Sequence, residues 1–240
     1  MKRTLMEKNL HVPNKREMLF GIFCWFMFII GFSLILSLFF NYNTYEGSYY
    51  AQLAYLYGCC LLTATVFFFF LKKARMYVFP MELLKTVLIG LGAYLVLSYI
   101  VEWILLDIMI FQSFFFGKTP TFNNFNQASI DMAVRYNPVP MYIGTILAAP
   151  ITEELLFRGM IFGPLCRKKP WLAYLVSTLL FALVHFISYI EYISLMNAFM
   201  LLLIYAPAGL VLGWAYQNTR SIYGPIALHC AINLFATFIG

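Results

Sequence analysis

Three ionisable residues lie close together in an otherwise apolar stretch of this 240-residue chain. Glu153, Glu154 and Arg158 all occur within residues 148–159. A charged side chain placed in hydrocarbon costs about 2.5–3.5 kcal/mol on insertion scales. Such groups persist where they pair with each other, line a wet cavity or take part in a reaction. We therefore expect the functional site to lie in this segment.

The spacing of these residues separates the two glutamates. Glu154 and Arg158 are four positions apart, so on a helix they share a face and can form an ion pair. Glu153 points roughly a third of a turn away and lacks this partner. Its carboxylate is therefore the better candidate for a base that takes a proton from water.

Two further pairs of residues, also spaced by four, follow along the chain. Phe181 precedes His185, and His229 precedes Asn233. An imidazole and a carboxamide can donate hydrogen bonds to an oxyanion, although each pair alone would also fit simple bonding between helices. Counted from the predicted cytoplasmic helix ends, Glu153, His185 and His229 lie at depths of roughly 12–21 Å. They can therefore converge in one cavity reached from the cytoplasm.

The composition indicates that membrane helices position these residues. The chain is 62% hydrophobic and 11% charged, whereas soluble domains carry about 25% charged residues. Seven apolar stretches approach the ~20 residues that cross a bilayer. They lie near residues 18–40, 51–71, 84–106, 139–163, 171–189, 193–216 and 221–239. Residues 107–116 either continue the third stretch or form an interfacial helix or an eighth crossing, so we predict an all-α transmembrane bundle of seven or eight spans.

These stretches follow one another too closely to leave room for a second domain, and we predict a single integral membrane domain over residues 1–240. Residues 1–138 would supply scaffold spans and an outer loop, because the polar intramembrane residues concentrate in residues 139–240. The Asn-rich segment 117–138 is expected to be a connecting loop, with contact to a substrate as the alternative.

The distribution of basic residues predicts the orientation in the cell membrane. Most Lys and Arg fall on one side of the predicted bundle, namely Lys2, Arg3, Lys8, Lys15, Arg16, Lys72, Lys73, Arg75, Lys85, Arg167, Lys168, Lys169 and Arg220. The other side carries only Lys118 and Arg135. This asymmetry predicts a cytoplasmic N-terminus and, after seven crossings, an extracellular C-terminus. Anionic lipid headgroups then account for the net charge of +6 without a nucleic-acid partner.

The motifs Glu153-Glu154-x-x-x-Arg158, Phe181-x-x-x-His185 and His229-x-x-x-Asn233 resemble those of the CAAX-protease and bacteriocin-processing family of intramembrane proteases. That family includes the type II CAAX prenyl endopeptidases, and the resemblance covers about residues 140–240. It implies a helical bundle with a cavity open to the cytosol and laterally to lipid.

The same resemblance implies a role for each polar residue. Glu153 and His185 would hold and activate a water molecule. His229 and Asn233 would stabilise the oxyanion that forms on the scissile carbonyl. Glu154 and Arg158, together with Phe181 beneath His185, would organise the site.

The use of a metal ion is left open by these residue types. Glu153, His185 and His229 could ligate Zn²⁺ in number and type. Against this, the chain contains no HExxH motif, and pairing with Arg158 would compete with ligation by Glu154. We favour hydrolysis without a metal or other cofactor, with Zn²⁺ as the alternative.

These observations favour an intramembrane endopeptidase that cuts a membrane-associated peptide or protein. A peptide pheromone precursor, a bacteriocin precursor and a CAAX-like protein are the substrates considered. One alternative is a non-proteolytic membrane scaffold, such as an immunity or regulatory protein. Another is a proton-coupled transporter, because intramembrane Glu, His and Arg also form proton relays; the chain lacks the repeated halves typical of transporters.

Overall fold

Helices account for every regular element in the residues that the computed structural model describes, which are 10–77, 79–117 and 122–238. The first half forms α1 (Lys15–Ser37), α2 (Tyr45–Val66), α3 (Phe68–Ala74) and α4 (Pro80–Phe116). The second half forms α5 (Phe125–Tyr136), α6 (Pro138–Ile143), α7 (Ala149–Glu154), α8 (Gly163–Cys166), α9 (Pro170–Val184), α10 (Leu195–Thr219) and α11 (Tyr223–Phe238). The predicted all-α class is confirmed.

Several of these helices have the length and apolarity of membrane spans. Among the described residues, α1, α4 and α10 meet both criteria individually, and α2 with α3 meets them as a pair bent by 72°. The apolar helices α9 and α11 are shorter. The membrane class is therefore confirmed, while the number of seven crossings and the orientation stay predictions. The basic residues at positions 2, 3, 8 and 118 lie outside the described residues.

Residues 107–116 continue the third predicted span and form no separate element. Helix α4 is a single helix of 37 residues, about 55 Å long at ~1.5 Å per residue. It begins at Pro80, where the missing N–H costs no helical hydrogen bond. It ends at Gly117, whose φ of 61° is the left-handed conformation that glycine adopts easily.

The chain between α6 and α8 contains two π-helical segments, Gly144–Ala148 and Leu155–Phe162, on either side of the short helix α7. Pro150 lies in the first turn of α7, where its missing N–H is tolerated. Each π turn changes the direction in which the following side chains point, and such turns are frequent at functional sites.

The end of the bundle that carries the basic residues is filled by packed side chains. Leu10, Phe70 and Cys166 belong to one buried apolar cluster there. The chain before α1 is tied down at the same end, because Arg167 Nε donates to the Leu10 carbonyl at 3.0 Å and the Tyr216 hydroxyl donates to the His11 carbonyl. This packing fixes the chain before α1 against the bundle.

Candidate active site

Glu154 and Arg158 form the ion pair predicted from their spacing. Both side chains are fully buried, and Arg158 Nε lies 3.2 Å from Glu154 Oε2. Arg158 Nη1 donates to Glu154 Oε1 at 3.2 Å, and Nη2 donates to the Gly209 carbonyl at 3.2 Å. The guanidinium carbon also lies 4.6 Å from the centre of the Phe181 ring. Each charge therefore has a partner that offsets the cost of its burial.

Glu154 also connects this helix to α11. Its Oε1 lies 2.8 Å from Nδ1 of His229, which is itself buried. A carboxylate only accepts hydrogen bonds, so His229 donates through Nδ1 and its Nε2 is left facing Glu153. Glu154 thus orients both Arg158 and His229.

Glu153 presents one carboxylate oxygen without a partner. Its Oε2 is buried and makes no hydrogen bond within the described residues. It lies 3.9 Å from His185 Nε2 and 4.0 Å from His229 Nε2. These separations exceed a direct hydrogen bond and suit a bridging water molecule.

His185 is held in one tautomer by the end of its own helix. Its Nδ1 lies 2.7 Å from the Phe181 carbonyl, which only accepts, so Nδ1 carries the hydrogen and Nε2 is the acceptor. The Phe181 ring contacts both imidazoles, with centroid distances of 4.8 Å to His185 and 5.7 Å to His229. The structure therefore brings the phenylalanine of the second motif to the centre of the cluster.

Asn233 is positioned by a missing helical hydrogen bond in the segment that precedes the first motif. Its Nδ2 donates to the Thr145 carbonyl at 2.8 Å. In the π-helical segment that carbonyl would bond the N–H five residues later, but that residue is Pro150, which has none. Asn233 supplies the missing donor and keeps its second N–H. Pro150 therefore contributes to the site by freeing a carbonyl.

The four predicted catalytic residues line one cavity of about 280 Å³. They are Glu153, His185, His229 and Asn233. Its wall also includes residues that the motifs do not contain, among them Gln52, Tyr55, Asn126, Gln127, Thr145 and Tyr205. The sequence carries little signal for them, because single Tyr and Thr residues are common in apolar helices. Asn126 and Gln127 belong to the Asn-rich segment 117–138, which was expected to be a connecting loop, with contact to a substrate as the alternative. Residues 118–121 of that segment lie outside the described residues.

The expected opening of the cavity toward the basic, cytosolic end is not confirmed and stays a prediction. That end is filled by the apolar cluster around Leu10, whereas the cavity wall reaches Gln127 and Thr237 near the other end. Glu153, His185 and His229 line one cavity, as their similar predicted depths suggest, but equal depth does not determine which end is open.

The arrangement of possible ligands bears on whether this site could hold a metal ion. No group of three or more His, Cys, Asp or Glu within residues 10–77, 79–117 and 122–238 is arranged to hold a metal ion. The set considered for Zn²⁺, Glu153 with His185 and His229, is among the residues covered by this statement. Hydrolysis without a metal ion stays a prediction.

Comparison with known proteins supports the resemblance. Residues 135–235 match the family model of the Rce1-like type II CAAX prenyl endopeptidases. The chain is 32% identical over 128 residues to the UPF0177 protein YbdJ of Lactococcus lactis subsp. lactis, covering 52% of this chain and 51% of that protein. It is 31% identical over 114 residues to YdiL of Bacillus subtilis, provisionally named a membrane peptidase, covering 47% and 41%.

The chain thus spans about half the length, or less, of these relatives, and no solved structure matches it. The matched region contains all three motifs. Over residues 135–235 the chain is therefore similar to an Rce1-like domain, and the resemblance to the CAAX-protease and bacteriocin-processing family is confirmed for those residues.

Gly209 allows the close approach that positions Arg158. A Cβ at Gly209 would lie 2.6 Å from Thr178 Cγ2 and 3.0 Å from Thr178 Cα, which is backbone of α9. We expect Gly209→Ala to destabilise the protein by about 1–3 kcal/mol through overpacking. Gly92→Ala is the control, because a Cβ there meets nothing within 4 Å and the change should stabilise the helix by up to ~1 kcal/mol. Denaturant unfolding in detergent measures both, and equal stabilities would contradict the expectation.

Tyr205 covers one face of the His185 imidazole. The two rings are stacked with centroids 4.2 Å apart, and the Tyr205 hydroxyl bonds Asn124 at 3.2 Å and Asn126 at 3.5 Å. We expect Tyr205→Leu to speed the reaction of His185 with diethyl pyrocarbonate, followed by mass spectrometry, because the ring is uncovered. Tyr205→Phe keeps the stack and should leave the rate near that of the wild type. Identical rates in all three proteins would show that the stack does not shield His185.

Proposed function

We propose that this protein is an intramembrane endopeptidase that hydrolyses a peptide bond with a water molecule activated by Glu153 and His185. The observation that carries this proposal is the buried, unpartnered Oε2 of Glu153, 3.9 Å from the acceptor nitrogen of His185. The match of residues 135–235 to the Rce1-like family model supports a membrane protease.

The reaction begins with a water molecule between these two acceptors. It donates one hydrogen bond to Glu153 Oε2 and the other to His185 Nε2, since both atoms only accept. Glu153 takes a proton as the water oxygen attacks the scissile carbonyl carbon. The carbonyl oxygen becomes an oxyanion, and Glu153 then passes the proton to the leaving amine nitrogen as the C–N bond breaks.

His229 and Asn233 stabilise the oxyanion in this proposal. Because Glu154 occupies Nδ1 of His229, donation toward the cavity requires a second hydrogen on Nε2, so His229 acts as an imidazolium. The cluster of Glu153, Glu154, Arg158 and His229 then carries two negative and two positive charges. Asn233 donates its second N–H. Preorganised donors of this kind contribute about 3–4 kcal/mol each to transition-state stabilisation.

The substrate class follows from the membrane location of the site. We propose a membrane-associated peptide or protein, such as a pheromone or bacteriocin precursor or a CAAX-like protein. The protein would be a multi-pass protein of the cell membrane, with its N-terminus cytoplasmic and its C-terminus extracellular, surrounded by lipid.

Cleavage of candidate precursor peptides by the purified protein tests the activity. Wild type should release two fragments by mass spectrometry, while His185→Ala and Asn233→Ala, shown to be folded, should be much slower. A protein that cells require, and that still functions when both positions carry alanine, would instead be the non-proteolytic scaffold.

Chelation tests the proposed independence from metal ions. We expect cleavage to continue unchanged after exhaustive dialysis against EDTA and 1,10-phenanthroline, because Glu153 and His185 suffice to hold the water. Metal analysis of the treated enzyme is the control that removal was complete. Activity that is lost and restored specifically by Zn²⁺ would overturn this part of the mechanism.

A further inference from the structure

Gln52 carries a carboxamide on the side of α2 that faces the cavity of about 280 Å³. The residues of α2 that line this cavity recur at intervals of three and four, which places them on one face of the helix. They are Gln52, Tyr55, Leu56 and Cys59. The Gln52 side chain makes no hydrogen bond within residues 10–77, 79–117 and 122–238. Polar side chains of membrane helices usually bond a neighbouring helix, so an amide that instead faces a cavity is available to a ligand.

Asn126 presents a second carboxamide to the same space. It lies in the first turn of α5, where its Nδ2 donates to the Tyr205 hydroxyl at 3.5 Å. The Tyr205 hydroxyl in turn donates to Asn124 Oδ1 at 3.2 Å. Asn126 Oδ1 accepts no hydrogen bond within the part of the chain that the structure describes. The side chain is therefore held through its nitrogen, and its oxygen remains available to a ligand.

Packing between α2 and α5 holds the two carboxamides on neighbouring helices. Tyr49 of α2 and Ala133 of α5 belong to one buried apolar cluster. The Tyr45 hydroxyl of α2 also donates to the Met132 carbonyl of α5. The two helices are thus in contact, and side chains from both line the same cavity.

A second cavity of about 470 Å³ meets the first at these side chains. Gln52, Asn126 and His185 line both cavities. Neither is lined by Lys, Arg or Asp within the described residues, and Glu153 is the only glutamate in either wall. A substrate side chain would therefore find no ion-pair partner there apart from the proposed catalytic groups. Recognition beside His185 has to use chemical groups that every peptide carries.

We propose that Gln52 and Asn126 bind the main chain of the substrate beside its scissile bond. A carboxamide offers N–H donors and a C=O acceptor, which match the C=O and N–H groups of an extended peptide. Main-chain hydrogen bonds of this kind give affinity, while specificity for side chains comes from separate pockets. The substrate is therefore an extended segment of polypeptide in which different uncharged side chains are tolerated. This assignment rests on the proposed peptidase function.

Peptide binding to an inactive protein tests the contact without requiring cleavage. The probe is a fluorescein-labelled hexapeptide of alternating alanine and serine, bound to the Glu153→Gln protein in detergent and followed by fluorescence anisotropy. Adding Gln52→Met should raise Kd by about 2–10-fold, the usual effect of one lost hydrogen bond. The fold should be retained, because Gln52 has no hydrogen bond within the described residues to lose.

Gln112→Met is the matched control for this measurement. Gln112 lies in α4 and lines neither cavity, so its replacement should leave Kd unchanged. Equal Kd values for the two methionine variants would overturn the inference. Failure of the probe to bind the Glu153→Gln protein would also overturn it, because main-chain recognition requires no particular side chains.

An ester scan of the same peptide tests whether the contact is to the main chain. Each peptide of the scan replaces one amide N–H with an ester oxygen, which removes a single donor. One replacement should weaken binding to the Glu153→Gln protein by about 2–10-fold. It should have no further effect when Gln52→Met is also present, because the partner is then gone. Ester effects that are the same with and without Gln52→Met at every position would reject main-chain recognition by Gln52.

Cleavage kinetics separate this inference from the proposed function. In the otherwise wild-type protein, Gln52→Met should raise KM by a factor similar to its effect on Kd and change kcat little, because substrate binding is weakened. A fall in kcat at unchanged KM would overturn the binding role. Absence of cleavage by wild type would reject the peptidase function and leave the binding result standing.

Discussion

Glu153→Gln is expected to lower kcat by about 10²–10⁴-fold, the usual contribution of a general base. Glutamine has almost the same shape as glutamate but cannot accept the proton of the attacking water. Because Glu153 Oε2 has no hydrogen-bond partner to lose, the fold and KM should change little. Initial rates of peptide cleavage, with a melting curve for each protein, measure the effect.

Two comparisons make this result specific. Glu102→Gln removes an exposed carboxylate of α4 outside the cavity and should leave kcat unchanged. Glu153→Asp keeps the base but withdraws it by one methylene, so it should retain more activity than Glu153→Gln. Equal cleavage by wild type and Glu153→Gln would exclude Glu153 as the base.

Arg158→Met is expected to produce the largest loss of stability among the site variants. It leaves the fully buried carboxylate of Glu154 without its ion-pair partner. Breaking a buried ion pair by removing one member costs about 3–5 kcal/mol, because the remaining charge stays buried. The hydrogen bond to the Gly209 carbonyl and the contact with the Phe181 ring are lost as well.

A double-mutant cycle isolates the charge effect from the loss of packing. Glu154→Gln combined with Arg158→Met removes both charges at similar volume, so it should be more stable than Arg158→Met alone. Free energies of unfolding in detergent give the coupling between the two sites. If the double variant is as unstable as the sum of the single changes, the pair is held by shape and not by charge.

Spacing along the chain predicts some contacts of the first motif and not others. The separation of four residues correctly predicted the pair of Glu154 with Arg158. It could not predict that Glu154 also binds His229 Nδ1, because those residues are 75 positions apart and meet only when α7 packs against α11. That second contact determines which nitrogen of His229 faces the cavity.

The further residues of the cavity wall could not be predicted from local sequence patterns for a related reason. Tyr205 lies in an apolar helix, where a tyrosine has no distinctive spacing, and its stacking on His185 depends on how α9 and α10 pack. Likewise, Leu10 is one apolar residue in a polar N-terminal segment, yet it is buried in an apolar cluster with Phe70 and Cys166.

The sequence by itself determined the membrane class, the helical fold, the family of residues 135–235 and the polar residues worth testing. Composition and four-residue spacing act within one helix, so they can be read along the chain. The tertiary structure alone decided which atoms face each other, which carbonyl Asn233 binds and which further residues line the cavity. These features depend on contacts between helices that are distant in sequence. A single turn of π-helix or one buried leucine changes which side chains meet there.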